Sequence, residues 1–174
     1  MKKAIKILVS ILEAHQKGEK KSLGKEPKAV FLVCPGHFAP LTAEPESLLV
    51  VENAGAALSG AEEALDRGIR RQKLPLLVIV AAQNGADFDR PPLKGDDADV
   101  ITRIGKKETL AHLDRQVAAA LDRYGDLVKK RQLMIVGIYD DGEGGIFIAN
   151  YNGLKGKDAL SYSLPDVGED FFLK

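Results

Sequence analysis

Apolar positions along this chain switch between two spacings, and the switches mark its elements. Ile5, Leu8, Val9 and Leu12 recur at three and four residues, predicting an amphipathic first helix that runs into the charged stretch 16–28. An uninterrupted apolar run then predicts a strand over 28–34, followed by a loop carrying Pro35, Pro40 and Pro45. A second strand is predicted over 48–51, ending at Glu52-Asn-Ala-Gly55. Ser59 with Glu62 three residues later reads as a capping box that opens a helix reaching about Gln72. The stretch 76–82 is apolar at every position, the pattern of a central parallel strand covered on both faces. A loop rich in Gly, Pro and Asp follows over 83–99. Leu110, Leu113, Val117, Leu121, Tyr124 and Val128 then describe one long helix, or two broken near Gly125. The stretch 133–139 is a fourth strand, turning through 140–145 into a fifth over 146–149, a hairpin. The tail after it is polar and mixed with no clear period, and no internal repeat is present.

The pattern therefore predicts an α/β fold with a mostly parallel central sheet, flanking helices and a C-terminal hairpin. A length of 174 residues and 45% hydrophobic content suit one core domain, taken as 28–174, with a helical arm and basic linker over 1–27. Lys+Arg and Asp+Glu both total 25, and no basic block is interleaved with aromatics, so nucleic acid is not an expected partner. The cluster Lys17 to Lys25 reads as a solvated linker. The opening apolar run is interrupted by Lys6 and followed by no small-residue cleavage site, which argues against a signal peptide, and it is too short to span a bilayer. A single cysteine excludes an internal disulfide framework and agrees with a reducing cytoplasm, the expected compartment.

That cysteine, Cys34, stands at the end of the first strand, where open α/β sheets bind ligands. A thiol there suits a metal ligand or a nucleophile. His37 lies three residues on, and the Cys-x-x-His spacing makes Cys34 and His37 the candidate metal ligands, with Asp87 or Glu52 as a third by proximity of strand ends. Against this, His37 fits a solvated loop histidine and Cys34 a buried, inert thiol. His15 ends a polar helix face, and His112 reads as a surface or interface residue. The pairs Asp96-Asp97 and Asp140-Asp141 with Glu143 lack calcium-loop spacing, and the second group reads as hairpin turn residues. A strand-to-helix phosphate loop is absent from the sequence.

The order of these elements, with the residues at the strand ends, resembles the β class of carbonic anhydrases over most of the chain. Ile11-Leu-Glu-Ala-His15 is similar to the family's leading helix, Cys34 falls where its Cys-x-Asp-x-Arg motif begins, and Val50-Val-Glu-Asn-Ala-Gly55 resembles Val-Val-Arg-Asn-Ala-Gly. Gly60-Ala-Glu-Glu-Ala-Leu65, the strand 76–82 and the stretch 133–140 with Gly144 and Gly145 continue the likeness. The resemblance implies zinc held by two cysteines and a histidine, with an Asp-Arg pair controlling the fourth position. Here the first motif reads Cys34-Pro-Gly36-His-Phe38, without that pair. Aligning Gly85-Ala86 with the family's Gly-Ala puts Asn84 at the second cysteine, and the histidine position falls on Ala81 or Ala82. Glu52 replaces the arginine before Asn-Ala-Gly.

The expectation is thus a carbonic-anhydrase-like protein whose zinc site is degenerate. It would lack hydratase activity, assemble as a homodimer or larger homo-oligomer, and bind a small molecule or anion in a remnant cleft of Cys34, Gly36, His37, Asn53, Gln83 and Asn84. No cofactor is expected, zinc being the alternative. The competing reading is an enzyme, a carbonate-dehydratase-like lyase or a related hydrolase, using an unconventional metal site or Cys34 itself.

Overall fold

The computed structural model describes residues 1–36, 38–83 and 98–174, with only the backbone described over 98–104. His37 and the stretch 84–97, with Asn84, Asp87, Asp96 and Asp97, lie outside the described residues.

Five strands form one sheet in the order β2-β1-β3-β4-β5. They are β1 (Ala29–Val33), β2 (Leu48–Glu52), β3 (Leu76–Ala82), β4 (Met134–Asp140) and β5 (Ile146–Tyr151). All neighbours are parallel except β4 and β5, which pair antiparallel with a bulge between Gly137 and Ile138. The helices are α1 (Lys2–Lys17), α2 (Glu62–Asp66), α3 (Ala98–Lys129) and α4 (Lys157–Ser163).

Alternation along the strands sends side chains to two separate cores. Phe31, Val33, Val78, Val80, Val136 and Ile138 face α1 and the C-terminal segment, while Val30, Leu32, Leu77, Ile79 and Ile135 face α2 and α3. Burial on both sides explains why β3 is apolar at every position.

α1 buries Ala4, Ile7, Leu8, Ile11 and Leu12, whereas Ile5 and Val9 are only partly covered. The stripe is therefore rotated from the expected one, and it lies on the chain's own sheet. Gly18 ends the helix in the left-handed conformation at φ 65°, its N–H bonding back to the carbonyls of Ala14 and His15.

The expected capping box at Ser59 does not form. Glu62 accepts a hydrogen bond from the Gly60 N–H at 2.7 Å, the α2 N-cap is Ala61, and no side chain caps it. α2 then widens into a π turn, Arg67–Arg71, that brings Gly68 down onto β1 and β2. α3 continues through Gly125 as one helix. The tail that showed no period carries α4 and a 3₁₀ turn, Glu169–Phe171, and buries Leu160, Leu164, Val167 and Phe172. Phe172 bridges to Ile148, covering part of the β5 edge. No helix among the described residues is long and apolar enough to cross a membrane.

Candidate functional site

The last parallel pairs of β1 are Val33 with Glu52 and Val33 with Val80, so β1 and β2 finish level while β3 runs two residues further, to Ala82. The sheet order places Cys34 where the chain reverses direction across the sheet, β1 connecting to β2 on one side and β2 then crossing back past β1 to β3 on the other, the usual place for a crevice. Cys34 itself is only 5% exposed. The chain turns through Pro35 and Gly36, and Phe38 stacks on Phe31 at 6.1 Å and on the His15 ring at 5.4 Å. His15 is thus packed against an aromatic ring, not simply the end of a polar face, and its buried Nδ1 finds no hydrogen-bond partner among the described residues.

Asn53 follows β2, its N–H bonding to the Val33 carbonyl at 3.0 Å. Its side-chain amide donates to the carbonyls of Ala57 at 2.7 Å and Ser59 at 2.8 Å, closing the loop that holds Gly55 and Ala56 at positive φ. α3 holds this loop from outside. His112 Nε2 bonds the Gly55 carbonyl at 2.6 Å, and the Leu58 N–H donates to Gln116 Oε1 at 2.8 Å. His112 is accordingly half-buried, with one ring nitrogen tied inward to the Gly55 loop.

Gln83 caps β3. Its N–H bonds the Asp140 carbonyl at 2.9 Å, and its side-chain Oε1 accepts the Tyr139 hydroxyl. Tyr139 is 2% exposed, and burial, reinforced by Asp141, Asp140 and Glu143, pushes its hydroxyl up to about 12. The acidic hairpin residues do act as turn residues. Asp140 Oδ1 accepts the Gly142 N–H at 2.9 Å, and Asp141 Oδ1 accepts those of Glu143 and Gly145, both at 2.8 Å. Between this hairpin, the tips of β3 and β4, and the start of the α3 side chains opens a cavity of about 520 Å³. Among the described residues of the expected cleft, Gln83 is the one that lines it; Lys106, Tyr139 and Phe147 escaped the sequence reading because nothing local marks them.

Neither a protein-family model nor a curated protein sequence matches the chain. Solved structures do match, and they define its class: the chain has the fold of the β-carbonic anhydrases. A tetrameric β-carbonic anhydrase from the filamentous ascomycete Sordaria macrospora matches with TM-score 0.56 at 14% identity, over 78% of this chain and 88% of that one. Coccomyxa β-carbonic anhydrase, solved with acetazolamide, matches with TM-score 0.56 at 13% identity, over 86% of this chain and 82% of that one. The β-carbonic anhydrase CafD of Aspergillus fumigatus gives TM-score 0.52 at 14% identity, over 74% and 92%. At such identities the likeness is one of fold.

Among the described residues, the donor set does not fit the zinc that the resemblance implies. Catalytic zinc takes three strong nitrogen, sulfur or carboxylate ligands. Opposite Cys34, β3 ends in Ala81 and Ala82, 4% and 7% exposed, whose methyl groups donate nothing. Glu52 is exposed at the end of β2, and among the described residues no three of His, Cys, Asp and Glu gather where they could hold a metal ion.

Proposed function

We propose that the chain is a carbonic-anhydrase-fold protein without carbon dioxide hydratase activity, which binds a small ligand at the carboxyl edge of its sheet and works as a homo-oligomer. The observation that carries this reading is the pairing of Val33 with Val80, which sets Cys34 beside the apolar end of β3. Hydration near neutral pH needs a positioned hydroxide. Metal-bound water ionises near pH 7, whereas free water ionises near 15.7, a gap worth roughly 12 kcal/mol in forming the nucleophile. Only part of that gap is a rate advantage, because bound hydroxide is the weaker nucleophile. Still, no side chain among Cys34, Ala81, Ala82 and Gln83 closes it.

Assembly is supported by the description of the Sordaria protein as tetrameric and by the sheet itself. Among the described residues β2 pairs only with β1, leaving an edge on which Val50 is 41% exposed.

Elemental analysis of tag-free protein and stopped-flow hydration with and without added zinc test the activity reading. Zinc far below one ion per chain and rates equal to the buffer blank are expected. Stoichiometric zinc lost in Cys34→Ser, with zinc-dependent turnover lost in Cys34→Ala, would overturn it and favour the enzyme.

A further inference from the structure

The cavity beside the hairpin has chemistry of its own. At about 520 Å³ it falls in the range of small-molecule sites. It sits one strand away from Cys34, at the carboxyl ends of β3 and β4, and its lining carries both signs of charge.

One wall is α3, from which Lys106 holds its ammonium 5.8 Å from the centre of the Tyr139 ring. Lys106 makes no ion pair within 4.0 Å among the described residues. Tyr139 is buried, and its hydroxyl donates to Gln83. The other walls bring Glu143 from the hairpin turn and Asp170 from the C-terminal 3₁₀ turn. Neither carboxylate is paired with a cation among the described residues, whereas Asp141 spends its Oδ1 on the turn. Phe147 and Tyr139 supply aromatic surface to the same lining, which Lys174 also joins.

A ligand with one charge would leave part of this lining unmatched. We infer that the cavity binds a small zwitterion of amino-acid size. Its carboxylate meets Lys106, its ammonium meets Glu143 and Asp170, and its apolar part lies against Phe147 and the Tyr139 ring. The inference rests on the small-ligand half of the proposed function and moves the binding place from the β1 end to the β3 and β4 ends.

Amide NMR titration of the full ¹⁵N-labelled chain tests it. The probes are L-phenylalanine, 3-phenylpropionate with the carboxylate alone, 2-phenylethylamine with the amine alone, and bicarbonate. L-Phenylalanine is expected to shift the Tyr139, Gly142 and Phe147 signals saturably. Each single-charge analogue should bind about tenfold more weakly, as should L-phenylalanine to Lys106→Ala or Glu143→Gln, one charge-assisted contact being lost in each case. Lys3→Ala, on α1, is the control and should bind as the wild type does. Equal binding of the analogues, indifference to both cavity substitutions, or no saturable shift at concentrations on the order of 10 mM would overturn the inference. Bicarbonate shifting the Cys34 and Ala81 signals while L-phenylalanine shifts none would sink the zwitterion site and leave the small-ligand reading standing. Zinc-dependent hydration would defeat the loss-of-activity reading whatever the titration gives.

Discussion

His112 on α3 donates its Nε2 hydrogen to the Gly55 carbonyl at 2.6 Å, across 57 residues of sequence. A carbonyl only accepts, so the bond selects an imidazole that carries hydrogen on Nε2. It ties the longest helix to the loop at the β2 end, where Asn53 already closes the backbone. His112→Ala should destabilise the fold by about 1–2 kcal/mol, the cost of a lost hydrogen bond and an orphaned carbonyl. His112→Gln, which restores a donor, should recover part of that. Urea midpoints of the three proteins check this; equal midpoints for wild type and His112→Ala would show that the bond contributes nothing.

Asp66, Arg123 and Tyr124 clamp α2 to α3. Arg123 bonds Asp66 through two nitrogens at 3.1 and 2.6 Å, and the Tyr124 hydroxyl donates to Asp66 at 2.8 Å. The Arg123 guanidinium, then Tyr124, holds the Asp66 carboxyl below its usual range against the opposing effect of burial. A depressed carboxyl stabilises the fold above its unfolded pKa near 3.8 and loses that contribution as pH falls through the folded value. Tyr124 is the reverse case. Burial, then Asp66, pushes it up to about 12 from 10.0, so its contribution is complete below about pH 10 and disappears toward pH 12. Stability measured across pH should therefore fall less steeply in acid for Asp66→Asn. Tyr124→Phe should cost about 1–2 kcal/mol at neutral pH and soften the alkaline limb, part of which Tyr139 retains. Unchanged limbs in both variants would contradict the clamp.

Gly68 lies where the π turn presses on the sheet. A Cβ there would stand 2.6 Å from Val30 Cγ2 and 2.7 Å from Leu49 Cδ2. Gly68→Ala should destabilise by about 1–3 kcal/mol despite the better helix propensity of alanine, because overpacking displaces β1 and β2. Thermal unfolding decides the sign, and a raised midpoint would show that the turn relaxes freely.

Light scattering at micromolar concentration should give a multiple of the 18.8 kDa chain mass. Charging the open edge with Val50→Lys should lower that mass if β2 takes part in the assembly. A monomer in the wild type would remove the oligomer from the proposed function.

Much of the fold is legible in the order of residues. β3 was bounded correctly by its apolar run, and β1, β2 and β4 lie within about one or two residues of their expected limits. The long heptad-like spacing of α3 outweighed Gly125, whose added Cβ would meet nothing within 4 Å, so that glycine marks no close contact. The C-terminal helix escaped notice because Leu160, Leu164, Val167 and Phe172 are buried from a helix, a turn and a bridge in succession, with no common period. Ser59 offered a capping hydroxyl, but Asn53 takes the Ser59 carbonyl and Glu62 reaches Gly60, which shifts the helix start.

What the sequence determined by itself is whatever lies within a turn or a strand: periodicity, parallel-strand character, and the lack of metal-ligating side chains at Ala81 and Ala82, which follows from side-chain chemistry alone. Tertiary structure decided the rest. It turned α1 onto its own sheet through Ile7 and Ile11, engaged Asn53 in its loop, paired His112 with Gly55, and gathered Lys106, Tyr139 and Glu143 around one cavity. Local pattern records which face of an element is apolar, whereas partners tens of residues away are chosen by how the layers stack, and that choice is made only when the whole core closes.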